Sequence, residues 1–478
     1  MKRLKFPVFT FSLILLINTA AILEVPPLPP IEACLDLPEE YFNYENIEVP
    51  PYIANIPTLG DIDNTPANNP ITDEAATLGR VLFYDKNLSV NNTIACASCH
   101  LQEYGFTDTL QFSQGFEGGL TGRNSMNLSH AKYYEPGSFF WDQRAATLED
   151  QTLMPIQDLV EMGMELDDLV IKLEATDYYD YLFDDAFGST VVTADRISRA
   201  LAQFVRSMES YGSKYDEGRA TVVGPGQGGV APFQQDFPNF TEQENLGKSI
   251  FYDPEIGNCA SCHNPDLFIA PGPRNNGLDI VYDDNGVGAV TGNLPDYGLF
   301  KVPSLRSVEM TGPYMHDGRF ASLEEVVEHY NSGVQDHPNL APQLRVNGPN
   351  SPPIMLNLSE DEKAALVSFL KTLTDNDLLT DERWSNPFCE DITSTFQISK
   401  KDFKVYPNPF NQSTRIDFEN INGEEHLLRI FDTQGRILWQ TTTTDNSYYF
   451  QNNFLLPGIY FLQIDNNESS GMTKIILQ

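Results

Sequence analysis

One pentapeptide occurs twice in this chain and constrains it more than any other feature. Cys96-Ala97-Ser98-Cys99-His100 recurs letter for letter as Cys259-Ala260-Ser261-Cys262-His263. The repeat extends upstream, where Leu78-Gly79-Arg80-Val81-Leu82-Phe83-Tyr84-Asp85 matches Leu246-Gly247-Lys248-Ser249-Ile250-Phe251-Tyr252-Asp253. Two cysteines two residues apart, followed at once by histidine, have the spacing of a c-type haem attachment site. Each sulfur adds to one vinyl group on the same ring edge, and the adjacent imidazole is held beneath the iron as its proximal ligand. A duplicated module with its own attachment site predicts two haem domains. A four-cysteine zinc site is the competing reading; it explains neither the two histidines nor the upstream repeat.

Charge narrows the class further. The 478 residues carry a formal net charge of −37, which excludes nucleic-acid binding, since phosphate recognition needs a basic face. An acidic surface suits a basic partner such as a small donor cytochrome, and it also serves solubility. Cys34 and Cys389 are the two cysteines outside the motifs. Outside the cytoplasm they form either a disulfide or two unpaired thiols. Lys2, Arg3 and Lys5, an apolar run from Phe6 to Ile17 and small residues at Thr19, Ala20 and Ala21 read as a signal peptide. The apolar run is too short for a membrane span, and no second long one appears.

The predicted organisation is a signal peptide over 1–21, an extended proline-rich and acidic leader over 22–52, haem domains over 53–235 and 236–392, and a C-terminal domain over 400–478. The fold class is mostly α: two c-type cytochrome-like haem domains, then a small antiparallel β-sandwich. Helical signals cover Ala145–Met164. They recur over 193–209, where Ile197, Leu201, Phe204 and Val205 share a face behind a Thr193 N-cap. Val222–Phe237, rich in Gly, Pro and Gln, reads as the linker. Capping boxes at Ser322/Glu325 and Ser359/Glu362 open two more helices. Residues 400–478 alternate apolar and polar between turn residues, which predicts strands.

Residues 70–375 resemble the bacterial di-haem cytochrome c peroxidases, the MauG-type enzymes included. The resemblance is carried by Phe140-Trp141-Asp142-Gln143-Arg144, the Gln151…Pro155…Glu161 series, Lys301-Val302-Pro303-Ser304-Leu305-Arg306 and Thr311-Gly312-Pro313-Tyr314-Met315-His316-Asp317-Gly318. Val405-Tyr406-Pro407-Asn408-Pro409-Phe410, opening the C-terminal β-domain, is similar to type IX secretion sorting domains. The first resemblance implies two covalent haems held by Cys96, Cys99, Cys259 and Cys262, with His100 and His263 on the irons. It sets Gln151, Pro155 and Glu161 opposite His100. Splitting the O–O bond of peroxide needs a proton moved from the near oxygen to the far one. A buried carboxylate does this as base, then acid, and burial raises its pKa towards the acid role. The far ligand of the second haem is Tyr330 by motif offset, with Met315 as its rival. Trp141 lies between the haems as an electron relay, and Asn124, Thr311 and Pro313 hold a calcium ion. Lys301 and Arg306 are candidates for haem propionates or for surface roles. Phe116 falls where many relatives park a distal histidine; it gives iron no lone pair, so the His100 haem is expected to be five-coordinate or water-bound when oxidised. Met126 is the other candidate in that loop, at the wrong offset.

The resemblance therefore implies a peroxidase that reduces hydrogen peroxide to water with electrons from a small donor such as cytochrome c. A MauG-like oxidase of a protein or organic substrate is the alternative, favoured by Tyr330. A non-catalytic di-haem electron-transfer cytochrome is a third reading, opposed by Glu161 and Gln151. A homodimer is common in the family. The C-terminal resemblance implies passage through the periplasm and delivery by the type IX secretion machinery to the cell surface or medium. Mass spectrometry of the mature protein is expected to show two haem additions, one at Cys96/Cys99 and one at Cys259/Cys262; a single haem, or zinc, would end this reading.

Overall fold

The computed structural model describes residues 34–478 apart from 136, 223–230, 271, 390–398, 401–402, 419, 421–422, 424–425, 432–436, 453–454 and 466–468. The signal peptide, the start of the leader and most of the linker lie outside the described residues. The chain forms two compact units, Met1–Phe388 and Cys389–Gln478.

In the first unit the upstream repeat becomes the same construction made twice. Leu78–Tyr84 lies in the helix Asp73–Tyr84, whose first turn is capped by the Thr72 hydroxyl accepting from the Ala75 N–H. It crosses the helix Ala194–Arg206, capped by Thr193 in the same way. The crossing is close because Gly79 has no side chain: a Cβ there would meet the Ala200 carbonyl oxygen at 2.1 Å. The second copy, Glu242–Tyr252, carries a capping box at Thr241 and Glu244 and crosses Glu360–Lys371, which has its own box at Ser359 and Glu362. There a Cβ on Gly247 would meet the Ala365 carbonyl oxygen at 1.9 Å. Each crossing seats matched aromatic rings, Phe83 with Phe204 at 5.3 Å between centroids and Phe251 with Phe369 at 5.1 Å.

Two apolar cores follow from the two crossings. Val81, Leu82, Phe83, Leu201 and Phe204 belong to the first, and Phe251, Phe268, Leu366, Phe369 and Leu370 to the second. The chain exchanges pieces between them. Tyr215 packs in the second core, while Leu378 and Trp384 return to the first. Tyr44, from the extended leader, also packs in the first core, its hydroxyl donating to the Arg383 carbonyl. Between the helices run long irregular segments. Among the described residues of this unit the only β-pairings are isolated bridges, so the helical content is moderate rather than dominant. The described helices include none long and apolar enough to cross a membrane. Cys34 and Cys389 are disulfide-bonded, whereas the four motif cysteines take part in no disulfide.

The second unit has two sheets. β1 (Ser399–Lys400), β8 (Ser469–Leu477), β7 (Gly458–Asp465), β4 (His426–Phe431) and β5 (Ile437–Thr443) neighbour one another in that order; β2 (Phe403–Tyr406), β3 (Ser413–Phe418) and β6 (Ser447–Gln451) form the other sheet. Alternate residues from both sheets, Ile416 and Phe418 from one and Leu428, Ile430, Leu462 and Ile464 from the other, fill a shared core. One pairing departs from the expected antiparallel arrangement: β1 runs parallel to β8. No hairpin joins those two strands, so no tight turn dictates their relative direction.

The glycine crossings carry a testable consequence. Gly79→Ala and Gly247→Ala each force a methyl against a backbone oxygen that cannot rotate away, and each is expected to lower stability by about 1–3 kcal/mol. Urea unfolding followed by circular dichroism measures this; an unchanged midpoint would show that the helices slide apart freely.

Candidate functional site

Both CxxCH histidines are fixed by the same device. His100 Nδ1 lies 2.7 Å from the Phe106 carbonyl oxygen, and His263 Nδ1 lies 3.3 Å from the Phe268 carbonyl oxygen. A carbonyl only accepts, so Nδ1 carries the proton and Nε2 keeps the lone pair that a metal needs. Phe106 and Phe268 both sit in the left-handed region, at φ 61° and 55°, where a bulky side chain is strained. Both are completely buried, and the rings of Phe83 and Phe251 pack against them at 6.2 and 5.8 Å. Burial holds both imidazoles neutral, lowering the pKa of His100 and taking that of His263 to about 4. Burial also pushes the thiols of Cys96 and Cys259 up to about 12. Among the described residues no three His, Cys, Asp or Glu side chains converge to hold a metal ion, so the two cysteine pairs do not combine into a four-cysteine zinc site.

Each motif opens onto its own cavity. The first, of about 510 Å³, is lined by Cys99 and His100; the second, of about 230 Å³, by Cys259, Cys262 and His263. A c-type haem asks for paired thiols, an imidazole nitrogen, a largely apolar slot and a partner for its carboxylates. The second cavity has the first three; the first has the imidazole, the slot and the Cys99 thiol on its wall, with Cys96 supplied by the same motif. The fourth is Lys301, which lines both and forms no ion pair with a carboxylate among the described residues. The residues present therefore fit a haem in each cavity.

Gln151 and Pro155, on the helix Leu148–Gln157, line the first cavity together with Glu161. Glu161 follows that helix in a turn organised by Asp158, whose Oδ1 accepts from the N–H groups of Val160 (2.8 Å) and Glu161 (3.2 Å). Burial, helped by the negative charge of Asp158 and opposed by Arg144, raises the Glu161 carboxyl to about 7. The charge of Glu161 in turn acts on both Cys96 and Cys99, so carboxylate and thiols occupy one site. Arg144 lies 3.6 Å over the Phe140 ring centroid and bonds Asp142. Asp158 and Arg144 were assigned no role from sequence. The Asp-x-x-Glu spacing of an Asx turn was the available signal for Asp158; Arg144 has none, because its proximity to Glu161 is tertiary.

The loop after the first motif lies differently from the family pattern expected of it. Phe116 is not among the residues lining the first cavity. It packs on the first core, and its N–H donates to the Glu161 carbonyl oxygen at 3.1 Å. Met126 lines both cavities, and its sulfur accepts from Lys301 Nζ at 3.3 Å. His130 also lines the first cavity. Its Nε2 lies 3.0 Å from the Ser210 carbonyl oxygen, and burial lowers its pKa to about 3.

Tyr330 and Met315 both line the second cavity. Tyr330 lies in a π-helical turn, His329–Gly333, a distortion frequent at functional sites. Burial raises its pKa, as do the charges of Cys262 and Cys259, while a hydrogen bond with Asn276 lowers it. The Met315 sulfur accepts from Asn276 Nδ2 at 3.4 Å. Thr311 and Pro313 line the same cavity, and Asn124 and Trp141 line both. Trp141 Nε1 donates to the Asn124 carbonyl at 2.8 Å. The two basic residues of the Lys301–Arg306 motif part company. Arg306 lines neither cavity. It is completely buried and bound to Asp216 at 2.5 Å, so the propionate role is corrected: its charge is already neutralised inside the protein.

Two like modules, each with a fixed imidazole, paired thiols and a haem-shaped need, define a di-haem c-type cytochrome architecture. Residues 73–221 match the family model described as di-haem cytochrome c peroxidase, and residues 404–478 match the secretion system C-terminal sorting domain. The chain is 31% identical over 312 residues to the methylamine utilization protein MauG of Methylophilus methylotrophus, covering 64% of this chain and 84% of that one. The MauG of Methylorubrum extorquens is 34% identical over 316 residues (64% and 80%). The cytochrome c551 peroxidase of Nitrosomonas europaea is 31% identical over 320 residues (64% and 82%). Among solved structures, a MauG-like protein associated with microbial copper homeostasis superposes with a TM-score of 0.58 at 33% identity, covering 72% of this chain and 99% of that one. The di-haem peroxidase BthA from Burkholderia thailandensis, at 22% identity and a TM-score of 0.53 over 75% and 99%, shares the fold. The chain belongs to the di-haem cytochrome c peroxidase family, MauG-type proteins included, and ends in a type IX secretion sorting domain. That tail implies export, with a surface or extracellular fate.

The turn that carries Glu161 rests on Gly115, where a Cβ would meet the Val160 carbonyl oxygen at 1.6 Å. Gly115→Ala is expected to displace Glu161 and cut peroxide turnover by about 10²-fold, the cost typical of a displacement near 1 Å, with both haems retained. Steady-state kinetics beside a haem count checks this; unchanged turnover would show that the Glu161 turn tolerates displacement.

Proposed function

We propose that the protein is an exported di-haem peroxidase that reduces hydrogen peroxide to two waters, using two protons and two electrons from a small donor protein such as a cytochrome c. Cys96/Cys99 and Cys259/Cys262 are the thioether anchors, and His100 and His263 the iron ligands. When bound, the haem of the first cavity supplies the iron at which peroxide is reduced. Glu161 takes the proton from the near peroxide oxygen and returns it to the leaving one, turning that oxygen into water. The Gln151 amide orients peroxide by hydrogen bonding, and Pro155, having no donor group, leaves the face open. The single observation that carries this reading is the Glu161 carboxyl held at about 7 in the cavity of His100, where acid and base forms are both accessible.

Electrons from the donor would enter at the module of His263 and pass by way of Trp141 to that of His100, a reading supported by the place of Trp141 on both cavity walls. Tyr330 would hold the iron of the second haem together with His263, with Met315 the rival, a reading supported by the place of both on the second cavity wall. Tyrosinate favours ferric iron and a low potential. A calcium ion held by Asn124, Thr311 and Pro313 is part of the proposal, supported by the presence of all three on the second cavity wall; the Asn124 amide N–H groups are committed to the Leu110 and Gln111 carbonyls, leaving Oδ1 as donor. The domains are 53–235 and 236–392 for the haems and 400–478 for sorting, the last carrying the protein from the periplasm through the type IX machinery. A MauG-like oxidation of a protein or organic substrate is the second reading. It is favoured by Tyr330 at the second cavity and by the 34% identity to a MauG. Peroxide consumption that requires reduced cytochrome c separates the first reading from the second.

Glu161→Gln is expected to keep two haems and lose about 10²–10⁴-fold in peroxide turnover. The pH dependence has a definite sign. A raised pKa means that Glu161 is protonated below about 7, and a protonated carboxyl cannot accept the first proton. For the wild type, kcat/KM for peroxide therefore falls as pH drops through about 7, and Glu161→Gln lacks this limb. Turnover within about twofold of wild type, against the far larger contribution typical of such groups, would remove Glu161 from the mechanism.

A further inference from the structure

Three lysines among the described residues are buried: Lys172, Lys248 and Lys301. A buried ammonium is costly unless oxygens or anions receive its protons. Lys172 Nζ donates to the Ser89 carbonyl and to Asn92 Oδ1. Lys248 Nζ donates to the carbonyls of Phe233 and Gln235. Lys301 has no oxygen partner of this kind. Its Nζ meets the Met126 sulfur at 3.3 Å and stands 4.3 Å from the Tyr134 ring centroid. A thioether is a weak acceptor and a ring face a weak counter-charge. Burial alone lowers its pKa, to about 8, with no carboxylate acting against that shift.

The backbone nevertheless holds Lys301 firmly in place, since its N–H donates to the Trp141 carbonyl at 2.8 Å. The side chain borders the first cavity and the second. Arg306, five residues on, shows how this fold treats a buried cation that serves structure alone: it is neutralised by Asp216. Lys301 keeps its charge for an anion supplied from outside the chain, and it borders two cavities that fit a carboxylate-bearing porphyrin.

We propose that Lys301 is a shared cation of the two cofactor sites, its ammonium bonding a carboxylate side chain from each porphyrin and so biasing both irons towards the reduced state. The inference rests on the reading that both modules carry haem. One positive charge facing both groups favours the less positive oxidation state of each. Reduction at either iron is thus made easier by one residue, and Trp141 is tied to that residue by its carbonyl.

The test is a potentiometric titration of the purified holoprotein, followed by visible and EPR spectra that distinguish the two haems. A haem count on the wild type comes first; fewer than two haems would overturn the proposed function itself. With two present, Lys301→Met removes the charge at nearly constant volume and is expected to shift both reduction potentials downward, while Lys301→Arg leaves both close to wild type. A shift at one haem only, or at neither, overturns the shared role. Should Lys301→Met fail to load two haems, Lys301→Gln takes its place under the same criteria. Failure of both neutral variants alongside normal loading of Lys301→Arg would support the charge requirement, whereas failure of all three would show a packing role and overturn it.

Discussion

Everything in the first unit depends on two helices being able to touch backbone to backbone. At Gly79 and again at Gly247 the facing carbonyl lies where a side chain would be. That closeness brings Phe83 onto Phe204 and Phe251 onto Phe369. The same phenylalanines pack against Phe106 and Phe268, whose left-handed backbones are held by that burial. Those two residues offer the carbonyls that fix His100 and His263 in the tautomer with Nε2 free. A helix contact is thus converted, through one aromatic step and one strained residue, into the orientation of an imidazole. The repeat upstream of each CxxCH is the sequence trace of this coupling.

The cavities are joined by a short run of bonds as well as by apolar contact, since Trp141 packs with Phe300 and Met315 of the second module. Trp141 donates to the Asn124 carbonyl, its own carbonyl accepts from Lys301, and the Asn124 N–H donates to the His316 carbonyl. Arg123 adds a bidentate grip on Asp284 and bonds Asp142 at 2.6 Å, so the segment carrying Trp141 is tied to the second module by charge as well. Farther in, Arg306 with Asp216 and Arg219 with Asp266 are buried pairs that join the Lys214–Thr221 helix to the second module. Removing one partner of such a pair strands a charge in a dry interior. The two modules are thus tied by buried charge as well as by apolar clusters that draw residues from both.

What was legible in the sequence was whatever chemistry or local geometry fixes by spacing. The CxxCH pair is set by the distance between ring substituents. The caps at Thr193, Ser322 and Ser359 are bonds within a single turn, and each is present. The alternation after residue 400 gave strands because a pleat has period two. What was not legible depends on partners far along the chain. Lys301 and Arg306 read alike as basic residues in one motif, and only the fold shows that Asp216 takes one and leaves the other. The carbonyls of Phe106 and Phe268 have no signature at all, since any residue offers a carbonyl. The parallel β1–β8 pairing was missed for the same reason: alternation says that a strand forms, not which edge it joins.

The duplication also shows how two equal modules come to do different work. Their proximal halves are alike: thiols, imidazole, strained phenylalanine and glycine crossing are matched. The distal halves differ in one physical respect. The first cavity is lined by the carboxyl groups of Asp158, Glu161 and Asp284, whereas the residues lining the second include no aspartate or glutamate. A carboxyl poised near neutrality can move protons within a single turnover; an aromatic hydroxyl whose pKa burial raises cannot release its proton at neutral pH without a cation or metal to compensate. Breaking an O–O bond needs protons delivered where electrons arrive, while passing electrons onward needs none. Under the proposed function, this acid–base difference supports placing peroxide chemistry at the module of His100 and electron entry at that of His263.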